Sequence, residues 1–349
     1  MAIDFRRETK LARLHDPRKD FALVEIESEV RYDPLTAESS RICHFALNVP
    51  PPADLAQVVE LSRRHCPFCP DRVETVTPRF PDDLVAGGRL RRGDALVVPN
   101  LFPYDDISAI AVLGREHFVP MDRVPTALVA DGLIAARDFI KIARDRLGGE
   151  ETFGIVTWNY MPPAGASQVH PHMQVIVTRN PGNALRRTLA ASAAWHARTG
   201  RTYPSDLVAA EKAAATRWIG ERGAVAWFAP FTPTGLLGDC VAMFRERATV
   251  AELSDADIRD FASSLVQVLA AFAARGLWSF NLCLMPAAFG ARPDQHWLTA
   301  KLLPRFYLNP KLHVSDVAYL HLLLEERFAM IYPEEVASAL RQSFAPLPA

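Results

Sequence analysis

Five histidine and cysteine positions and one glycine-containing loop carry most of the chemistry legible in this chain. In Val169-His-Pro-His-Met-Gln-Val-Ile-Val177, a strand would place His170, His172 and Gln174 on one face, successive members roughly 6.6 Å apart. Met173, Val175 and Val177 would then face a core, and Pro171, which lacks an amide donor, suits the start or edge of the strand. On its own such a segment also describes a polar-faced strand with solvated histidines. The preceding Pro162-Pro-Ala-Gly165-Ala-Ser167-Gln shifts that balance. Gly165 and Ala166 leave backbone amides with little steric cover and Ser167 adds a hydroxyl, so the loop suits phosphate oxygens. A histidine beside a phosphate that is neutral near pH 7 can attack phosphorus directly, giving a phosphoramidate that a second nucleophile resolves.

Cys66-Pro-Phe-Cys69 is the second cluster. Two thiolates three apart supply half of a tetrahedral zinc site, and His117 and His170 are candidates for the rest. The competing reading is a redox pair, since Cys-Pro-aromatic-Cys also resembles the glutaredoxin active site. That motif, however, follows the first strand of a small domain, whereas this one lies well into the chain ahead of a His-x-His, so zinc is the expectation. His65 is read as an exposed neighbour, and Cys43, Cys240 and Cys283 as small core residues. Asn100, in Val97-Val-Pro-Asn-Leu-Phe-Pro103, is placed where an amide could meet a ribose or base, or where it only caps its own turn. Arg89, Arg91 and Arg92 between Gly88 and Gly93 read as a solvated hairpin tip. No Walker or Gly-x-Gly-x-x-Gly fingerprint is present.

The elements that would hold these residues occur twice. Ile258, Phe261, Leu265, Val268, Leu269 and Phe272 predict a helix over Asp255–Ala274, opened by Ser254 with Asp257 and closed by Gly276. Ala136, Ile140, Ala143 and Leu147 predict an earlier one ending at Gly148 and Gly149. Each helix leads into two strands, Phe153–Trp158 with Val169–Thr178 and Leu277–Met285 with His296–Leu303. Each is preceded by a strand, a Pro-marked turn and a strand, in VVPNLFPYDDISAIAVLGREHFVP and WFAPFTPTGLLGDCVAMFRERATV. Arg115-Glu116-His117 falls where the second unit has Arg245-Glu246-Arg247, and the second unit has no paired histidines, so chemistry should concentrate in the first. Residues 180–222 are expected to connect the units mostly as polar-faced helix, and Val49-Pro-Pro-Pro52 to form a surface turn.

With 349 residues, 49% of them hydrophobic, the chain is long enough for two domains and can bury a sizeable core. Thirty-nine basic against 40 acidic side chains supply no field for a polyanion, which sets nucleic acid and anionic membranes aside as partners. The first residues carry no signal-peptide pattern and the longest apolar stretch is too short for a bilayer, so a cytoplasmic protein is expected. Five cysteines make an odd, sparse count that argues against a disulfide framework.

Taken in order, CPFCP, PNLFP, REH and GASQVHPHMQ resemble the galactose-1-phosphate uridylyltransferase family of the histidine-triad superfamily, with Arg31-Tyr-Asp-Pro-Leu-Thr36 and Gln295-His-Trp297 similar near the two ends. The resemblance implies an α+β fold of two tandem histidine-triad-like halves with antiparallel sheets flanked by helices, residues 1–185 catalytic and zinc-binding and 186–349 lacking the paired histidines. It implies zinc on Cys66, Cys69, His117 and His170, His172 as covalent nucleophile, Gln174 on the nucleotidyl phosphate, and Ser167 with the Gly165 and Ala166 amides on the departing phosphate, with Asn100 at the substrate. The activity implied is nucleotidyl transfer from a nucleotide sugar to a sugar 1-phosphate or to phosphate, by a homodimer. A phosphorylase acting on ADP-sugar or a dinucleoside polyphosphate, or a non-catalytic nucleotide-binding zinc protein, are the alternatives. The chain departs from the family at Leu101, where a carboxylate is usual, around residues 39–45, at Trp297–Pro304, where a second metal cluster is missing, and at Ser315–Leu322, where sugar contacts are replaced. Lys301 and Arg305 could supply phosphate contacts instead.

Overall fold

The computed structural model describes residues 3–43, 55–148 and 151–344; Val49–Pro52 and Gly149 lie outside the described residues. In chain order the strands and helices are β1 (Arg7–Asp16), β2 (Ala22–Tyr32), β3 (Ser39–Ile42), α1 (Leu55–Arg63), α2 (Val73–Val76), β4 (Leu90–Arg92), β5 (Ala95–Pro99), β6 (Ile107–Val112), α3 (Thr126–Leu147), β7 (Phe153–Tyr160) and β8 (His172–Thr178). There follow α4 (Asn183–Thr199), α5 (Tyr203–Ala214), β9 (Trp218–Arg222), β10 (Val225–Phe228), β11 (Cys240–Phe244), α6 (Asp255–Ala274), β12 (Phe280–Met285), β13 (Thr299–Pro304), β14 (Tyr307–Asn309), β15 (Val314–Ser315), α7 (Tyr319–Leu323), β16 (Arg327–Ala329) and α8 (Pro333–Ser343).

A ten-stranded sheet runs β4-β5-β6-β8-β7-β12-β13-β11-β10-β9. Read inward from either edge, the order is the same: three strands in sequence, then the fifth, then the fourth. All the pairings in it are antiparallel, and the two five-strand units meet where β7 pairs with β12, from Phe280 opposite Tyr160 to Leu284 opposite Val156. The seam is closed by aromatic packing, with Tyr160 stacked on Phe280 at 5.0 Å and Trp158 edge-on to it at 5.1 Å. The duplication expected from sequence is thus one continuous α+β sheet.

One face of that sheet is covered by α3 and α6, whose apolar stripes enter the main core. In α6 all six residues of the expected stripe are buried, the Ser254 hydroxyl accepts from the Asp257 amide at 3.1 Å and Asp257 accepts from the Ser254 amide at 2.9 Å. Gly276 follows with φ +83°, a left-handed conformation that stops the helix at little cost. A four-stranded sheet, β1-β2-β3-β16, joins the two ends of the chain. Its buried Arg31 bonds Glu29 at 2.7 Å and Glu334 of α8 at 2.9 Å.

Four expectations change. Regular pairing starts at His172, at Phe280 and at Thr299 rather than at Val169, Leu277 and His296, because Pro171 cannot donate to a ladder and irregular turns precede the other two strands. Residues 180–222 hold not only α4 and α5 but β9, the first strand of the second unit, and the helix pair is not merely polar-faced. Trp195, Tyr203, Leu207 and Val208 are buried against Ala226, Phe228, Val241 and Met243 on the second face of the sheet. Of the cysteines read as core residues, Cys240 is buried but Cys43 and Cys283 are half-buried, and all five are free. The arginine-bearing hairpin is not bare: Arg89 and Arg91 pair with Glu74, and Arg92 with Asp138. Among the described residues, no helix is long and apolar enough to cross a membrane.

Candidate active site and metal centre

Cys66 and Cys69 occupy the tight turn after α1, pinned by the Cys66 amide on the Arg63 carbonyl at 3.2 Å and by the Arg72 and Val73 amides on the Cys69 carbonyl, both at 2.9 Å. The turn brings both thiols against His117, in the loop after β6, and His170, in the lead-in to β8. All four are buried, and their ligand atoms lie within 4.8 Å of one another. His65 is exposed.

The surroundings settle which imidazole atoms face the thiols. The Ser62 hydroxyl donates to the Val59 carbonyl at 2.9 Å, so its oxygen accepts the His117 Nε2 proton at 2.8 Å and leaves Nδ1 as a lone pair, 3.4 Å from the Cys69 sulfur. His170 donates Nε2–H to the Gly114 carbonyl at 2.9 Å, leaving its Nδ1 at 3.8 Å from the same sulfur. Tetrahedral zinc with ordinary bond lengths sets sulfur and nitrogen ligands about 3.6 Å apart, so the donor set fits. Burial holds His170 down to about 4 and lowers His117 as well, keeping both rings neutral as ligation requires. It also pushes the Cys69 thiol up to about 11, opposite to a redox-active cysteine and as expected where a dication is needed to hold the thiolate. Ser62 and Gly114 were not picked out from sequence; a lone serine and a backbone carbonyl leave no pattern there.

His172, two residues on, opens β8. Its Nδ1 lies 2.8 Å from the His170 carbonyl, which can only accept, so Nδ1 carries the proton and Nε2 the lone pair. Burial lowers its pKa and keeps the ring neutral near pH 7. Phe68, between the two cysteines, lies against this ring at 5.1 Å and edge-on to His170 at 6.2 Å, so one turn packs on both histidines. Gln174 follows on the same face, where Tyr104 donates its hydroxyl to Oε1 and leaves the amide N–H groups as donors. Val112 and Ile110 stand opposite His172 and Gln174 in the ladder and belong, with Leu96 and Val98, to a small apolar patch partly covered by Phe68 and Val73. Neither Tyr104 nor this patch was identified from sequence as part of the site.

The loop before β8 differs from expectation. The Gly165 amide donates to the Pro162 carbonyl at 2.8 Å and the Ala166 amide to that of Met161 at 3.4 Å, so these two N–H groups close the turn instead of facing outward. Ser167 is exposed. Met161, buried at the loop's base, has φ +69°, a strained value for a side chain of that size. The loop is held from the second unit: Asn281 donates to the Ala164 carbonyl at 2.9 Å and to Asn159, its partner across the seam, at 2.7 Å. Arg305 in turn donates to the Asn281 amide oxygen at 2.6 Å and is fixed by Asp316, at 2.9 Å from its Nε. Arg305 is therefore occupied in bracing the loop, and Lys301 bonds Thr234 at 2.6 Å. The Asn100 amide oxygen accepts from the Phe102 amide at 3.0 Å, the local capping role.

No family model matches the chain. An uncharacterized protein of Archaeoglobus fulgidus is 26% identical over 345 residues, covering 99% of this chain and all of the relative. Among solved structures, an ADP-glucose phosphorylase from Arabidopsis thaliana superposes with a TM-score of 0.67 at 18% identity, over 90% of this chain and 99% of that one. A GalT-like protein from the same plant matches with TM-score 0.67 at 18% identity, over 90% and 98% of the two chains. A uridylyltransferase gives 0.67 at 20%, with the same coverage. These identities bear on architecture, and the chain has the fold of the GalT-like uridylyltransferases, two histidine-triad-like halves in tandem.

Proposed function

We propose that this protein is a nucleotidyltransferase that moves a nucleoside monophosphate from a nucleotide sugar to a sugar 1-phosphate or to phosphate, through a covalent intermediate on His172, with residues 1–185 as the catalytic half. The observation that carries this reading is the His172 tautomer: a proton on Nδ1 bonded to the His170 carbonyl, and a lone pair on Nε2. The Nε2 lone pair forms the N–P bond as the bond from phosphorus to the sugar-phosphate oxygen breaks, and the sugar 1-phosphate leaves with that electron pair. The ring is then cationic, and the His170 carbonyl stabilises its Nδ1–H. An acceptor phosphate oxygen reverses the sequence. Gln174 would donate to a non-bridging oxygen, Ser167 to the departing phosphate, and the patch of Val98, Ile110 and Val112 would take the flat base. The 0.67 match to an ADP-glucose phosphorylase supports phosphate as a second acceptor.

Zinc on Cys66, Cys69, His117 and His170 would be structural, since four protein ligands leave no open position; it would supply a rigid anchor for the strand that begins at His172. The test is incubation of the zinc-loaded protein with nucleotide sugars labelled at the nucleotidyl phosphorus. Label on His172 is expected, with release of sugar 1-phosphate in the absence of acceptor. His172→Gly should abolish labelling and lower turnover by about 10⁴-fold or more, with zinc content unchanged. Label on another residue, or turnover retained in His172→Gly, would overturn the assignment.

A further inference from the structure

The second unit carries a cavity at the place where the first carries its chemistry. Across the β7–β12 seam Thr157 faces Cys283; Gln174 lies beside Thr157 on one side and Lys301 beside Cys283 on the other. Lys301 is therefore the register counterpart of Gln174, and Thr299 that of His172. The two sites share one face of the sheet, three strand spacings or about 14 Å apart. Lys301 and Thr299 line a cavity of about 180 Å³, partly open to solvent, between β10, β11, β13 and the α4–α5 pair, and none of its lining residues belongs to the site described above.

The polar groups around this cavity divide into satisfied and free. Arg327, at the rim, is engaged by Asp33 and Glu38; Glu38 also takes Arg187 at 2.7 Å, and Asp33 takes the Leu35 and Thr36 amides at 3.0 and 2.9 Å. Those charges are matched. Lys301 bonds Thr234 at 2.6 Å and pairs with the fully buried Asp239 carboxylate at 3.6 Å, while its side chain keeps 25% of its surface. His296, 5% exposed, has neither ring nitrogen in a well-formed hydrogen bond, and the buried Ser192 hydroxyl also lacks a partner. Both line the cavity. Buried donors without partners are destabilising, and a ligand supplying acceptors would satisfy them. The rest of the lining is largely apolar: Phe228, Val241 and Met243 share the sheet face with Lys301, and Leu207 comes from α5. A dry cavity of roughly 150 Å³ accepts a benzene ring.

We propose that this cavity is a second binding site, for a small organic anion whose carboxylate or phosphate head meets Lys301 and His296 and whose flat apolar body lies on Phe228 and Met243. The site needs neither His172 nor zinc. The head would meet Lys301 beside its bonds to Thr234 and Asp239, with unpartnered His296 and Ser192 in the same lining, and the apolar wall excludes a fully hydrated ion such as free phosphate.

Calorimetric titration of the full-length, zinc-loaded protein with benzoate and with phenyl phosphate tests this, the tighter of the two identifying the head group. One molecule per chain is expected, with benzyl alcohol at least tenfold weaker, and His172→Gly should bind as the parent does. Lys301→Met with Asp239→Asn, changed together so that neither charge is left buried alone, should weaken binding at least tenfold. Met243→Trp, which fills the cavity and leaves the charges in place, should abolish it and serves if the double variant does not fold. Equal affinity for benzoate and benzyl alcohol, no binding, unchanged affinity in both variants, or one-for-one displacement by a nucleotide sugar would each overturn the proposal.

Discussion

The two halves of the ten-stranded sheet share strand order, connectivity and a buried face, and differ on the other face. In the first half, among the described residues, the Cys66–Cys69 turn with Phe68 and Val73 packs on that face, beside His172 and the apolar patch of Leu96, Val98, Ile110 and Val112. In the second, α4 and α5 lie over it and bury Trp195, Tyr203 and Leu207 there. Where the first half places His117 after its third strand, the second has Arg247, which bonds Asp257 at 3.0 Å at the start of α6. One frame thus supports a polar constellation anchored by a metal-ligand set and, a few strands away, an ordinary helix-capped core. The frame follows from apolar periodicity. The chemistry depends on which residues meet at the ends of β6 and β8, and on whether a helix pair closes the face above them.

The comparison breaks most sharply at the ligand set. Cys66→Ser should remove the metal and destabilise the protein by about 3 kcal/mol or more, because metal-binding free energy is folding free energy and buried His117 and His170 would lose their common partner. Arg247→Met, at the corresponding place in the second half, removes one half-exposed ion pair and should cost about 1 kcal/mol or less. Zinc analysis and denaturant unfolding of both variants check this. Equal losses in the two, or full stability without metal in Cys66→Ser, would mean that the cluster is not a structural centre.

A second contrast lies between the histidines. His117, His170 and His172 each have a hydrogen-bonded partner, whereas His296 is buried without a well-formed one, and burial holds it down to about 4. The folded state then favours the neutral ring, and the unfolded chain, titrating near 6.5, binds the extra proton. The stability contributed is fully present above pH 6.5 and lost as pH falls from 6.5 to 4, with a slope approaching 1.4 kcal/mol per pH unit and a total of about 3 kcal/mol. Urea unfolding of the parent and of His296→Gln at pH 7, 6 and 5 isolates this slope, since contributions shared by both proteins cancel in the difference. Parallel stability curves would show that His296 carries no proton-linked energy.

What the sequence made legible follows the same division. The α6 stripe with its Ser254 cap, the duplicated order and the convergence of Cys66, Cys69, His117 and His170 could be read because each rests on local spacing or on residue types with narrow chemistry. The groups that set the tautomers could not: Ser62, Gly114 and the His170 carbonyl act through one hydroxyl or a backbone oxygen available anywhere in a chain. The same holds for the loop amides, since a Gly-Ala pair permits an outward or an inward N–H, and Met161 and Pro162 supply the inward acceptors. The covering role of α4 and α5 was hidden by an Ala- and Arg-rich composition, in which a few large apolar residues do the packing.

The smallest expected effect sits on the seam itself, where one half braces the other. Arg305, held by Asp316, fixes the Asn281 amide, and Asn281 bonds the Ala164 carbonyl in the loop that carries Ser167. Arg305→Lys cannot span both partners with a planar fork, so the loop should lose its register while the strands, held by ladder bonds and by Tyr160 on Phe280, stay paired. A misplaced positioning group costs mainly in the reacting geometry, so kcat for nucleotidyl transfer should fall about tenfold while KM for the nucleotide sugar and the unfolding midpoint change little. Asn281→Asp, which keeps the acceptor for Arg305 but loses the donor to Ala164, should reproduce the kcat loss. Unchanged kcat in both variants would confine the bracing role to the second half; a parallel loss of stability and activity would make Arg305 a structural residue of the seam rather than a positioning residue for the loop.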